Sequence, residues 1–87
     1  MKRIYEYSTH EWYGEWKVET HKGFKPLSCQ IQHGRVTVWF EVDVDSPFTE
    51  ITFHLVLTGQ TIPARSTFIA TVQLNEGDHV VHLYQQN

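Results

Sequence analysis

The chain has one cysteine, Cys29, so no intramolecular disulfide can brace it. It has five glycines and three prolines in 87 residues, too few for a low-complexity or collagen-like chain. No apolar run approaches the ~18 residues of a membrane-spanning helix, and the opening "MKRIYEY" has no signal-peptide pattern. No window holds apolar residues at i, i+3, i+4 and i+7 for three turns, so helices are not expected. The net charge of −3 supplies no basic field for a nucleic-acid backbone. These gaps predict a soluble protein of a reducing cytoplasm, with no membrane partner and no nucleic-acid partner.

What remains is 40% hydrophobic and 14% aromatic, the composition of a folded globular chain, read as a single domain over residues 1–87. A chain this short buries only about 60–65% of its unfolded surface, so association with further copies is expected. Charge is unevenly spread. Residues 1–35 hold Lys2, Arg3, Lys17, Lys22, Lys25 and Arg35 against four acidic residues, whereas residues 36–87 hold only Arg65 against six. Such asymmetry can steer a charged partner, but its first reading is ordinary solvated faces.

Alternation with period two recurs along the chain, in segments rich in β-branched and aromatic residues. Strands are expected over "RIYEYS" (Arg3–Ser8), "EWKVETH" (Glu15–His21), "LSCQIQ" (Leu27–Gln32), "VTVWFEVDV" (Val36–Val44), "ITFHLVLT" (Ile51–Thr58), "TFIATVQL" (Thr67–Leu74) and "HVVHLYQ" (His79–Gln85). "THEWYGEW" is irregular, either a loop or a hairpin turning at Gly14. His33-Gly34 suits a two-residue turn, and folding there sets Ile31 against Val36, Cys29 against Val38 and Leu27 against Phe40. In the sixth strand Phe68, Ala70, Val72 and Leu74 share one face. The expectation is an all-β fold, a small antiparallel sandwich or barrel of six to seven strands.

The hairpin "CQIQHGRVTVWFEVDVD" leaves a second face carrying Gln30, Gln32, Arg35 and Trp39, with Trp39 opposite Ser28. An indole offers a stacking plane, amides offer paired donors and acceptors, and Arg35 offers a fork for phosphate. The ring is read first as packed structure, then as an interface between copies, and last as a ligand contact. Trp12, Tyr13 and Trp16 carry the same alternatives, and as exposed aromatics they suit a protein partner.

Catalytic and metal-binding signatures are missing. Of six histidines, His79 and His82 are three apart, which places them on opposite faces of a strand, and no cysteine pair accompanies them. His54 and His82 lie on the less apolar faces of their strands, where they can approach each other as structural histidines. "TGQTIP" (Thr58–Pro63) has one glycine and no Gly-Lys-Ser/Thr ending, so it is read as a connecting loop rather than a phosphate loop. Asp43 and Asp45 read as solvated charges near a turn. Cys29, on an apolar face, reads as a buried small hydrophobe. No enzyme, cofactor or metal is expected.

Taken in order, "IYEY", "KGFKPLSCQIQHGRVTVWFEVD", "LTGQTIP", "TFIATVQL" and "VVHLY" resemble a family of small proteins of unknown function from tailed bacteriophages and prophages. The resemblance rests on Gln30, Gln32, Gly34, Trp39, Thr58, Gly59, Ile62, Pro63, Phe68, Ile69, Thr71, His82 and Tyr84. It spans Lys22 to Tyr84. Ala70 stands where the family has glycine, and "HEWYGEW" lies outside the shared pattern. The resemblance implies a phage accessory protein made in the host bacterial cytoplasm, and it implies no activity. Three modes of action follow as expectations. The first is stoichiometric inhibition of a bacterial defence protein. The second is a homo-oligomeric sponge for a nucleotide signal, built on the Trp39 face. The third is a structural, virion-associated role.

Overall fold

The computed structural model describes residues 1–87 and is all-β. Its strands are β1 (Lys2–Thr9), β2 (Gly14–His21), β3 (Lys25–Gln32), β4 (Arg35–Asp43), β5 (Phe48–Leu57), β6 (Ser66–Leu74) and β7 (His79–Gln86), with one 3-10 turn at Asn75–Gly77. They form two antiparallel sheets, β1-β4-β3 and β2-β5-β7-β6, stacked as a sandwich. Residues 10–13 carry the chain from one sheet to the other, and Gly14 (φ 90°) opens β2. Trp12 lies in this crossing. It stacks on His79 of the same chain at 5.1 Å and packs against the core, so the segment is anchored in cis.

Alternation decides which side chains are buried. Val36, Val38, Phe40 and Val42 form the inner row of β4, and Phe53, Leu55, Val81 and Leu83 answer them from β5 and β7. Phe40 and Phe53 are fully buried and meet across the sandwich with ring centroids 5.9 Å apart. Phe24 and Tyr7 flank Phe40 at 4.7 and 5.3 Å, and Trp16 flanks Phe53 at 5.4 Å. The layers are also tied by Tyr7, whose hydroxyl donates to Thr20 Oγ1 at 3.0 Å, satisfying a threonine with no solvent exposure. His21 is buried at the end of β2. Its Nδ1 lies 2.7 Å from Ser46 O, so the ring carries its proton there, and Phe48 stacks on it at 4.5 Å.

The β3–β4 hairpin turns at His33-Gly34, both with positive φ, as a two-residue loop of this hand requires. Ile31 opposes Val36, Cys29 opposes Val38 and Ser28 opposes Trp39, as the alternation predicts. The expected pairing of Leu27 with Phe40 is corrected. A bulge between Pro26 and Ser28 sets Pro26 opposite Phe40 and leaves Leu27 46% exposed. Proline is tolerated because β3 is an edge strand, where an N–H can be missing. A second bulge, between Phe68 and Ala70 of β6, breaks the expected shared face there. Ile69 and Ala70 pack toward the core, while Phe68 turns outward onto Tyr84 at 5.5 Å.

Two neighbouring aromatics on β4 therefore carry opposite burdens. Phe40→Ala should cost about 3–5 kcal/mol and lower Tm by more than about 12 °C. Trp39→Ala, on the outer face, should cost about 1 kcal/mol, half or less of a full side-chain burial. Thermal and urea unfolding of the two variants provide the check. Equal losses would mean that the two faces do not differ.

Candidate functional site

The outer face of the four-stranded sheet is where concave surface and polar chemistry coincide. The register aligns Glu15, His54, Tyr84 and Phe68 across β2, β5, β7 and β6, and beside that row it aligns Val56, His82 and Thr71. The loop from Thr58 to Arg65 rides over the end of these rows. Its side chains and the sheet enclose two adjoining clefts of about 240 and 230 Å³ that share Val56 and Gln60. The loop also explains why Val56, an outward position, is nearly inaccessible to solvent.

The first cleft is lined by Val56, Leu57, Thr58, Gly59, Gln60, Ile62, His82 and Tyr84. Here His82 lies between two hydroxyls: Nε2 is 2.9 Å from Thr58 Oγ1 and Nδ1 is 2.8 Å from Thr71 Oγ1. A neutral imidazole donates from one nitrogen and accepts at the other, and two rotatable hydroxyls accommodate either tautomer. Gly59 has φ 93° with open space around its Cβ position, so backbone conformation rather than crowding favours glycine there.

The second cleft is lined by Tyr13, Gly14, Glu15, His54, Leu55, Val56, Gln60, Thr61 and Pro63. His54 Nε2 lies 2.7 Å from Gln86 Oε1. The Gln86 amide donates to the carbonyls of Arg65 at 3.2 Å and Ala64 at 3.4 Å, which orients its oxygen toward His54 and places the imidazole proton on Nε2. The loop is held further by Gln60 Oε1, which accepts from Leu57 N–H at 2.9 Å, and by the Ser66 hydroxyl donating to Pro63 O. The clefts are thus walled by histidines already engaged with neutral partners. Such groups can recognise a donor or acceptor. No buried side-chain nitrogen or oxygen lacks a partner, and no three His, Cys, Asp or Glu side chains are grouped to hold a metal.

The residues singled out in the sequence scatter. Tyr13 is 63% exposed and lines the second cleft. Trp12 and Trp16, expected as exposed aromatics, are corrected: both pack against the core, Trp16 because its alternation with Val18 and Thr20 turns it inward. Trp39 is half-buried on the outer face of the three-stranded sheet, between Glu6 of β1 and Ser28 of β3. Gln30 and Arg35 are exposed on the same face and Gln32 is half-buried. Their amides already turn to neighbours: Gln32 Nε2 donates to Glu6 Oε2 and Gln30 Nε2 to Ser28 Oγ, each at 3.2 Å. None of these four residues lines any of the three clefts.

Sequence spacing did not bring Thr58, Thr71 and His82 together. Yet these residues, with Gly59, Ile62 and Tyr84, belong to the short motifs on which the family resemblance rests. The register converts their order along the chain into one cluster.

The third cleft, about 270 Å³, lies in the seam between the bulges of β3 and β6 and is lined by Pro26, Leu27, Ser28, Cys29, Ile69 and Ala70. Burial pushes the Cys29 thiol up from its ordinary 9.0 to about 11.

No curated protein matches the chain, and no solved structure matches it. A family model matches across residues 1–87: a domain of unknown function, DUF7352.

Cys29 should therefore remain a protonated, unreactive thiol in the folded protein. At pH 8 a disulfide reagent such as DTNB should label it at the rate of global unfolding, and immediately in denaturant; rapid labelling of the native chain would show the seam to be open. Between pH 9 and 11 the unfolded chain releases a proton that the folded chain retains, so this group lowers stability as pH rises through that window. Thr71→Val should deprive His82 Nδ1 of its partner at a cost of about 1 kcal/mol, read as a Tm drop of about 4–8 °C.

Proposed function

We propose that this chain, which belongs to the DUF7352 family, is a phage or prophage accessory protein that acts by stoichiometric binding. It seats a bacterial host protein on the outer face of its four-stranded sheet and blocks that protein's action in defence. The supporting observation is the gathering of exposed apolar side chains around two clefts. Tyr13 (63% exposed) lines one cleft, Ile62 (55%) lines the other, and Phe68 (54%) leans on Tyr84 at the rim. Aromatic and aliphatic anchors beside small pockets are the usual composition of an interface centre. The polar walls suit the same role, because His54, His82 and the two threonines can exchange a neighbour's hydrogen bond for a partner's. The phage origin rests on the motif resemblance over Lys22 to Tyr84. A nucleotide sponge has less support. Its stacking residue, Trp39, sits on a surface without a cleft, so the pocket walls would have to come from elsewhere.

Two measurements test the reading. The tagged chain, mixed with bacterial lysate, should retain one protein near a 1:1 ratio. An Ile62→Ser/Phe68→Ser variant with unchanged Tm should lose it. Equal retention by the variant, or no stoichiometric band, overturns the proposed face. In parallel, a thermal-shift panel of cyclic dinucleotides and related nucleotides should stay flat. A ligand at 100 times its Kd adds about 2.7 kcal/mol, so a shift of several degrees would move the reading to nucleotide sequestration.

A further inference from the structure

The sandwich has four edge strands, and they are not alike. β3 and β6 each carry a bulge, a common device for blunting an edge. β2 pairs with β5 without interruption but buries Val18, Thr20 and His21, whereas β1 pairs with β4 without interruption, contains no proline, and is exposed from Lys2 through Glu6. Its other side faces no strand.

The direction of its free backbone groups can be worked out. Lys2 opposes Asp43, so Met1 opposes Val44, and Val44 N–H donates to Met1 C=O at 3.0 Å. Odd-numbered residues of β1 therefore bond to β4, and the N–H and C=O of Lys2, Ile4, Glu6 and Ser8 point away from the sheet. The hairpin agrees. Gln32 and Arg35 close a two-residue turn, so Arg35, Thr37 and Trp39 bond to β3 while Val36, Val38 and Phe40 bond to β1.

The residues whose backbone is free also share the outer face, and they read Lys2, Ile4, Glu6: positive, apolar, negative. Read antiparallel against itself about Ile4, that triplet is its own complement. We propose that β1 is a self-association edge. A second copy adds its own β1 antiparallel, with Ile4 opposite Ile4 of the second copy and Lys2 opposite Glu6 of the second copy, and each facing pair exchanges two backbone hydrogen bonds. The pairing covers Ile4, 65% exposed in the single chain. On the inner face it brings Arg3 beside Tyr5 of the second copy, within reach of a cation–π contact. Sliding the pair to place Glu6 opposite Glu6 would set like charges face to face, and placing Ile4 opposite Glu6 would set a carboxylate against an apolar side chain.

The product is a six-stranded sheet, β3-β4-β1-β1-β4-β3, with its two-fold axis normal to the sheet. Both four-stranded sheets then lie on one side of the dimer, so their outer faces point the same way. A partner presenting two copies of its epitope would gain avidity. The dimer does not depend on the function proposed above, because the edge and that face are separate surfaces.

Sedimentation equilibrium of the full chain over a concentration series tests it. The wild type should approach twice the chain mass of 10.3 kDa. Glu6→Lys should weaken the dimer about tenfold, since two attractive pairs become repulsive. Lys2→Glu combined with Glu6→Lys should restore it. Ile4→Pro should abolish it with β-sheet circular dichroism retained, because the lost N–H faces away from β4. A wild type that stays monomeric throughout overturns the proposal. So does a dimer indifferent to both Glu6→Lys and Ile4→Pro, or a folded double charge swap that fails to re-form the dimer.

Discussion

Everything in this fold refers back to the contact between Phe40 and Phe53. Phe40 lies in the middle strand of the smaller sheet, ringed by Phe24 and Tyr7, and meets Phe53 of the larger sheet across the sandwich. Because strand side chains alternate, seating Phe40 inward fixes every other residue of β4 as well. Val36, Val38 and Val42 follow it into the core, and Trp39 is committed to the far side. A one-residue slip would exchange the two rows and send four buried apolar residues to solvent. The outward position of Trp39 is the other half of the pattern that buries Phe40, and needs no ligand to explain it.

Small sandwiches leave edges, and here the edges shape the surface. The bulges of β3 and β6 face each other across one seam, where the two sheets approach. Each inserts one residue into its strand, and each reverses the facing of an apolar side chain: Leu27 on one side, Phe68 on the other. The exposure of Phe68 beside the first cleft is thus a by-product of how an edge is blunted. The opposite seam has no bulge. There the layers are tied by the Tyr7–Thr20 hydrogen bond and the contact of Tyr5 with His21, and β1 keeps a straight row of unpaired backbone groups.

Much of the fold was legible in the sequence because it depends on local alternation. The His33-Gly34 turn, the pairs Ile31–Val36 and Cys29–Val38, and the strand sequence all follow from period two and turn chemistry. Leu27 and Phe68 were misassigned for one reason: a bulge costs the pattern a single residue, and nothing in "KPLSC" or "TFIATV" marks where the extra residue sits. The site was less legible. Trp12, Tyr13 and Trp16 look alike in sequence, yet only Tyr13 stays at the surface. The other two follow the crossing segment and the β2 alternation into the core. His82 illustrates the remaining gap. Thr71 and Thr58 reach it only because β6 and β5 flank β7, and that strand order is a property of the whole sheet.

The chemistry of the clefts bears on what such a surface can do. His82 is hydrogen-bonded to two threonine hydroxyls and His54 to a glutamine side-chain oxygen, all neutral partners. Each of these hydrogen bonds is made near the surface, where a hydroxyl can rotate toward an arriving group without leaving a buried orphan behind. Satisfied polar walls beside exposed Ile62 and Tyr13 therefore cost little to open and gain apolar burial when covered.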